Sequence, residues 1–225
     1  MAPGAASATA DRQASLRVTE IFHSLQGEST RVGLPTVFIR LTGCPLRCVW
    51  CDSAYAFSGG SSMSIAQILA QTAAYPCRHV CVTGGEPLAQ KPCLDLLVSL
   101  CDAGYSVSLE TSGALDIAAV DSRVVRVMDL KAPASGEVDK NLWRNLDHLR
   151  GDDEIKFVLA SEDDYRWASA CLRQYGLEHH CAVLFSPVQG LLDPAQLAQW
   201  ILRDGLPVRF QLQLHKILWG AQRGR

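Results

Sequence analysis

The 225-residue sequence predicts an α/β fold, specifically a partial, open TIM-like barrel. Three observations carry this. From Thr36 onward, short β-branched runs alternate with amphipathic segments, the pattern of repeated β-α units around a parallel sheet. There are about six such units and fewer than eight helices, too few to close an eightfold barrel. Polar and glycine-bearing words (TGC, TGGEP, ETSG, DLK and SPVQG) follow the strands, where α/β sheets place their binding sites.

Taken in order, residues 1–16, MAPGAASATADRQASL, are rich in Ala and Ser but have no continuous apolar core. They read as a flexible leader and not an export signal. One domain, 17–225, is expected to follow, with a C-terminal tail closing the site. Strands are expected at 36–41, 79–84, 106–111, 124–130, 154–159 and 181–186, all rich in β-branched residues as buried strands are. A further strand is expected at 208–214. Helices are expected within 64–75, 91–104, 139–149, 161–176 and 193–205, where apolar residues recur at helical spacing between Ser or Asp caps and terminal glycines.

Composition narrows the function. Hydrophobic residues make up 48% and charged residues 20%, the balance of a globular protein, and no window approaches the roughly 18 apolar residues of a membrane span. A net charge of −2 gives no bulk attraction for nucleic acid. A cytoplasmic location is expected, and there the nine cysteines stay reduced. Cys77, Cys81, Cys93, Cys101, Cys171 and Cys181 are scattered among apolar neighbours and read as packing residues.

Cys44, Cys48 and Cys51 differ. They fall within the eleven letters GCPLRCVWCDS, on a loop that can wrap its thiolates around a compact group. Structural zinc wants a fourth ligand, and no second Cys-x2-Cys or His pair stands nearby. A cubane iron-sulfur cluster normally takes four cysteines, so three leave one iron for another ligand. With Trp50 between the last two, this loop resembles the signature of the radical S-adenosylmethionine (SAM) superfamily. The resemblance implies a radical SAM core, a [4Fe-4S] cluster on Cys44, Cys48 and Cys51, and SAM chelated to the open iron. It also implies SAM contacts from Trp50, Cys51, Asp52, Gly85 and Glu86 of TGGEP, Glu110 and Ser112 of ETSG, Asp129, Leu130 and Lys131, and Ser186, Pro187, Val188 and Gln189. Without it, each of these loops would serve equally as a turn or helix cap.

The line FHSLQGESTRVGLPTVFIRLTGCPLRCVWCDS, with TGGEP, ETSG, EIKFV and LHK downstream, is similar to the 7-carboxy-7-deazaguanine synthase family over nearly all the chain after the leader. That resemblance implies a lyase of queuosine and 7-deazapurine biosynthesis. It would act on 6-carboxy-5,6,7,8-tetrahydropterin, removing hydrogen at C6, contracting the ring and expelling ammonia. Implied substrate contacts are Leu25, Gln26, Gly27, Glu28, Arg40, Thr83, His215 and, in the tail, Arg225. Arg40 also stands out by itself, because an unpaired guanidinium in the apolar run VFIRLTG would be costly to bury. The family requires Mg2+ and has a threonine after Cys-Asp; here Ser53 keeps the oxygen without the methyl. A flavodoxin or ferredoxin reductant and a homodimer are likewise implied. The alternatives are a glycyl-radical-enzyme activase using the same cysteine loop, or a zinc or electron-transfer module. Glu178, His179 and His180 read as solvated surface.

Overall fold

The structure is a computed structural model describing residues 15–220 and 222–225. Its strands are β1 (Ser15–Leu25), β2 (Pro35–Leu41), β3 (Ser61–Ser64), β4 (His79–Gly84), β5 (Ser106–Thr111), β6 (Val125–Leu130), β7 (Glu154–Leu159), β8 (Ala182–Pro187) and β9 (Arg209–Phe210). They form one open sheet in the order β3-β1-β2-β4-β5-β6-β7-β8-β9. From β2 to β9 every pairing is parallel, while β1 runs antiparallel to both β2 and β3. The α/β expectation therefore holds. Val80, Val82, Val107, Leu109, Ile155 and Phe157 are fully buried along the central strands, which explains their β-branched and apolar enrichment.

Helices α1 (Ile65–Ala73), α2 (Cys93–Asp102), α3 (Glu162–Tyr175) and α4 (Pro194–Asp204) follow their strands, and α5 (Leu214–Trp219) ends the fold. Their limits follow from local chemistry. Ser64 and Gln67 make a reciprocal capping box on α1. Ser161 caps α3, whose first turn carries Glu162, Asp163 and Asp164 at the positive end of the helix dipole, and Gly176 stops it at φ 56°. Asp193 caps α4 with Pro194 in its first turn. The helices bury Leu96, Leu97, Leu100, Tyr165, Leu172 and Leu197 against the sheet, and Phe157, Phe185 and Tyr165 meet edge to face. Cys81, Cys93, Cys171 and Cys181 are buried, and Cys77 and Cys101 half-buried.

Four expectations need correction. Residues 15 and 16 are not leader: they open β1, and Leu16 is 1% exposed in the core. The rest of that leader, 1–14, lies outside the described residues. Neither β1 nor β3 was expected from sequence, because β1 is half-buried and mixes polar with apolar residues. The segment 139–149 forms two 3-10 turns, Val138–Lys140 and Trp143–His148, in place of a helix. Buried Asn145 donates to the carbonyls of Gly113 and Leu115, and Trp143 stacks on Tyr175 at 4.5 Å, so side-chain anchors fix an irregular path. Finally, 208–214 pairs with β8 only through Arg209–Phe210.

Beyond that short edge the chain uses side chains where a strand would use backbone. Gln211 accepts from the Ser29 amide and donates to the Ser29 carbonyl, both at 2.7 Å. Gln213 donates to Glu28 at 2.6 Å, and the Leu214 amide to the Gly27 carbonyl at 2.9 Å. These bonds join the 26–30 loop after β1 to the segment after β9, across the open side of the sheet. None of the described helices is long and apolar enough to cross a membrane.

Candidate active site

The cysteine loop leaves the C-terminal end of β2 and is tied down along its length. The Gly43 amide donates to the Ala56 carbonyl at 2.8 Å, the Val49 amide to the Ser135 carbonyl at 3.0 Å, and the Cys51 amide to the Cys48 carbonyl at 3.2 Å. Arg47 donates to the Cys44 carbonyl at 2.8 Å and lies 4.2 Å from the Phe57 ring centroid. The TGGEP segment braces the root of this loop, with the Glu86 amide donating to the Gly43 carbonyl at 2.8 Å. A Cβ on Gly85 would collide with the Gly43 carbonyl oxygen and stand 2.8 Å from the Cys44 Cβ. Gly85→Ala is therefore expected to displace Cys44 and cost about 1–3 kcal/mol, as overpacking does. Urea unfolding and iron content after anaerobic reconstitution check this; unchanged values in both would contradict it.

All three cysteines are free, half-buried and face one cavity of about 670 Å³. Burial pushes the Cys44 and Cys48 thiols above their ordinary value, with the Lys131 ammonium pulling the other way. Among the described residues, no three His, Cys, Asp or Glu side chains are grouped to hold a single ion. Three thiols without a fourth protein ligand match the donor set of a cluster that leaves one iron for another ligand.

The rest of the lining comes from the strand ends, the 26–30 loop and the tail. Gln26, 3% exposed, donates to Glu110 at 3.4 Å, and Thr83 donates to the other Glu110 oxygen at 2.9 Å. Lys156 extends from β7 to Glu28 at 2.5 Å and stands 3.6 Å from Asp129, which pairs with Lys131 at 3.0 Å. On the other side of Glu28, Gln213 accepts from Lys216 at 2.5 Å, and Lys216 pairs with Asp52 at 2.8 Å. A run of alternating charges and amides thereby links the cysteine loop, the tail, the 26–30 loop and the ends of β6 and β7.

Burial alone would raise the Glu28 carboxyl, but the Lys156 ammonium beside it and two hydrogen bonds hold it well below its ordinary value. Lys156 is held well above its own, since Glu28 and Asp129 outweigh its desolvation. Asp52 is likewise lowered, its burial outweighed by Lys216. Arg40 donates through Nε to Glu20 at 2.8 Å, with its guanidinium 5.7 Å from the Phe22 ring centroid and 5.8 Å from that of Tyr55.

Leu25, Gln26, Gly27, Glu28, Arg40, Thr83, His215 and Arg225 all line the cavity, as do Trp50, Asp52, Ser53, Gly85, Glu110, Ser112, Asp129, Lys131, Val188 and Gln189. Glu86, Leu130, Ser186 and Pro187 do not line it. The Glu86 carboxylate, 0% exposed, is spent inside the fold: it accepts from the Leu88 amide at 3.0 Å, Thr111 Oγ1 at 3.0 Å and the Ser112 amide at 2.7 Å. Its side chain shapes the ETSG loop and does not face the cavity. Leu130 is core, and Ser186 and Pro187 are buried behind the rim. Lys156, Gln213, Tyr55 and Arg223 were not expected from sequence, whereas Lys216 was legible with His215 in LHK. Lys156 carried a usable signal, being a cation inside the apolar run EIKFVL, as Arg40 is inside VFIRL. Glu178, His179 and His180 lie at the opposite ends of the strands, His179 being 83% exposed.

Residues 38–128 match the family model described as the Radical SAM superfamily. The fold also matches solved structures. Escherichia coli QueE superposes with a TM-score of 0.75 at 24% identity, covering 89% of this chain and 95% of that one. Streptococcus suis SuiB bound to S-adenosylmethionine superposes at 0.53 and 14%, covering 76% of this chain and 45% of that one. Curated relatives narrow the class. The 7-carboxy-7-deazaguanine synthase of Chlorobaculum tepidum is 45% identical over 92% of this chain and 96% of its own length. That of Koribacter versatilis is 45% identical over 91% and 97%, and that of Methanospirillum hungatei 38% over 93% and 88%. The chain belongs to the 7-carboxy-7-deazaguanine synthase family.

Proposed function

We propose that this chain is a radical SAM lyase of deazapurine biosynthesis that converts 6-carboxy-5,6,7,8-tetrahydropterin to 7-carboxy-7-deazaguanine with loss of ammonia, by hydrogen removal at C6 and ring contraction. The observation that carries this reading is that the three cysteines and the Leu25–Glu28 segment with Arg40 line one cavity. The donor set fits the group the family implies: three thiols on a braced loop, with Lys131 at hand to offset their charge. Cys44, Cys48 and Cys51 would hold a [4Fe-4S] cluster. With SAM bound, that cluster would supply the one-electron reducing chemistry of the reaction.

The chain's own residues bind, orient and exclude water. Gln26, Thr83 and the backbone of Leu25 and Gly27 offer paired donors and acceptors to a flat amide edge, and Glu110 fixes the Gln26 and Thr83 side chains. Arg40 and His215 face the same space and suit a carboxylate. Asp52, Asp129 and Lys131 border the cysteine side, where the amino-acid end of SAM requires charge partners. Phe22, Phe38, Leu46, Val127 and Val158 supply the apolar wall that keeps solvent from a reactive radical.

Ser53 is the proposed protein ligand to Mg2+. It sits at the N-cap position of the 3-10 turn Ala54–Phe57 but makes no capping bond, so its hydroxyl is not spent there. Ser53→Thr is expected to lower the half-saturating magnesium concentration by roughly two- to threefold, the scale of restricting one rotamer. Ser53→Ala is expected to remove the magnesium stimulation of turnover, and unchanged stimulation would refute the assignment. A flavodoxin or ferredoxin as reductant, a homodimeric state and action in the cytoplasm complete the proposal. The relatives named above are 7-carboxy-7-deazaguanine synthases, which disfavours the activase alternative. The test is anaerobic incubation with the pterin, SAM, magnesium and dithionite, without a partner protein. Formation of 7-carboxy-7-deazaguanine supports the reading; its absence with a fully loaded cluster overturns it.

A further inference from the structure

Tyr55 and Arg223 have no part in the reading so far, yet both line the cavity. Tyr55 donates to Glu20 Oε1 at 2.7 Å, and the same oxygen accepts from Arg40 Nε. This bond pattern occupies the Nε edge of Arg40 and leaves its Nη groups for the cavity. The tail then brings a second guanidinium to the same ring, with the Arg223 Cζ 4.2 Å from the Tyr55 centroid. Among the described residues Arg223 makes no ion pair, and Glu20 is shared by Arg40 and Tyr55. Both guanidiniums stand by the Tyr55 ring and line the cavity, so a carboxylate entering there would meet positive charge from each. A carboxylate suits such a pair because each guanidinium offers a planar fork of donors.

We propose that Arg223 and Arg40 together form a two-arginine clamp for the carboxylate of the substrate, with Tyr55 as the positioning residue that sets both guanidiniums. This rests on the pterin reading above. The tail thereby contributes to specificity: a tetrahydropterin without its carboxylate gives the clamp nothing to close on.

The test compares 6-carboxytetrahydropterin with 6-methyltetrahydropterin, using the full chain with reconstituted cluster and SAM. Wild type is expected to bind the carboxylated compound more tightly. Arg223→Gln is expected to raise KM for it by about tenfold, the scale of losing a hydrogen bond to a charged group, while kcat, cluster absorbance and SAM affinity stay as in wild type. Affinity for the methyl compound is expected to be unchanged, so the preference between the two narrows. Tyr55→Leu should behave like Arg223→Gln, whereas Tyr55→Phe, which keeps the ring, should retain most of the preference. An Arg223→Gln variant with wild-type KM, or one that weakens both compounds equally, overturns the clamp. If wild type binds neither compound, the pterin reading falls and the clamp with it; wild-type binding with an unaltered Arg223→Gln removes the clamp alone.

Discussion

Lys156→Met is expected to abolish turnover of the pterin and to lower stability by about 3–5 kcal/mol, the usual cost of removing one partner from a buried ion pair. Methionine fills the volume, so the loss is electrostatic. Glu28 would remain buried with only Gln213 beside it, and Asp129 would keep Lys131 but lose its second cation. The loop that carries Leu25–Glu28 is anchored by this contact, so its displacement removes the substrate site. The pH dependence has a definite sign. In the wild-type fold Glu28 titrates below its ordinary value of 4.5, so its contribution to stability is complete above that pH and fades as acid drives the pH down toward the lowered value. In the variant, the uncompensated carboxyl takes up a proton at higher pH. The stability gap between the two proteins should therefore be widest near neutrality and narrow below about pH 4.5. Urea unfolding across that range reads it out, and a gap that stays constant with pH would argue that Lys156 acts by packing alone.

Cys48→Ala should have the opposite profile, with complete loss of turnover and almost no loss of fold. Cys48 sits on a half-exposed loop outside the core, where truncation costs within about 0.5 kcal/mol. Its thiol is nevertheless one of three donors facing the cavity. The expected protein is folded but colourless after anaerobic reconstitution, with no product and no spectroscopic response to SAM. Cys101→Ala is the control, since that half-buried cysteine packs beside the core and does not line this cavity; it should stay brown and active. A brown, active Cys48→Ala would overturn the cluster assignment.

Sequence revealed whatever was local. The strands at 79–84, 106–111 and 154–159 read correctly to the residue because β-branched and apolar residues are concentrated in each, as buried strands require. β1 escaped because its Arg17, Glu20 and His23 break that pattern while its partners, β2 and β3, come later in the chain. The cysteine loop and the strand-end words were legible for the same reason as the central strands, since each places its chemistry within a few residues. Glu86 shows the limit of such reading: its type and place suggested a ligand contact, yet its bonds to Thr111 and Ser112 turn it inward. The contacts made by Lys156 and Gln213 span 128 and 185 residues, and no local pattern encodes a pairing over that distance.

The side of the sheet facing β9 is bridged by two glutamines and one backbone amide in place of a further ladder. Each neutral bond there is worth a net of about 0.5–1.5 kcal/mol, and the one to the Glu28 carboxylate about 1.5–3 kcal/mol. That seam is thus expected to open before the parallel scaffold does.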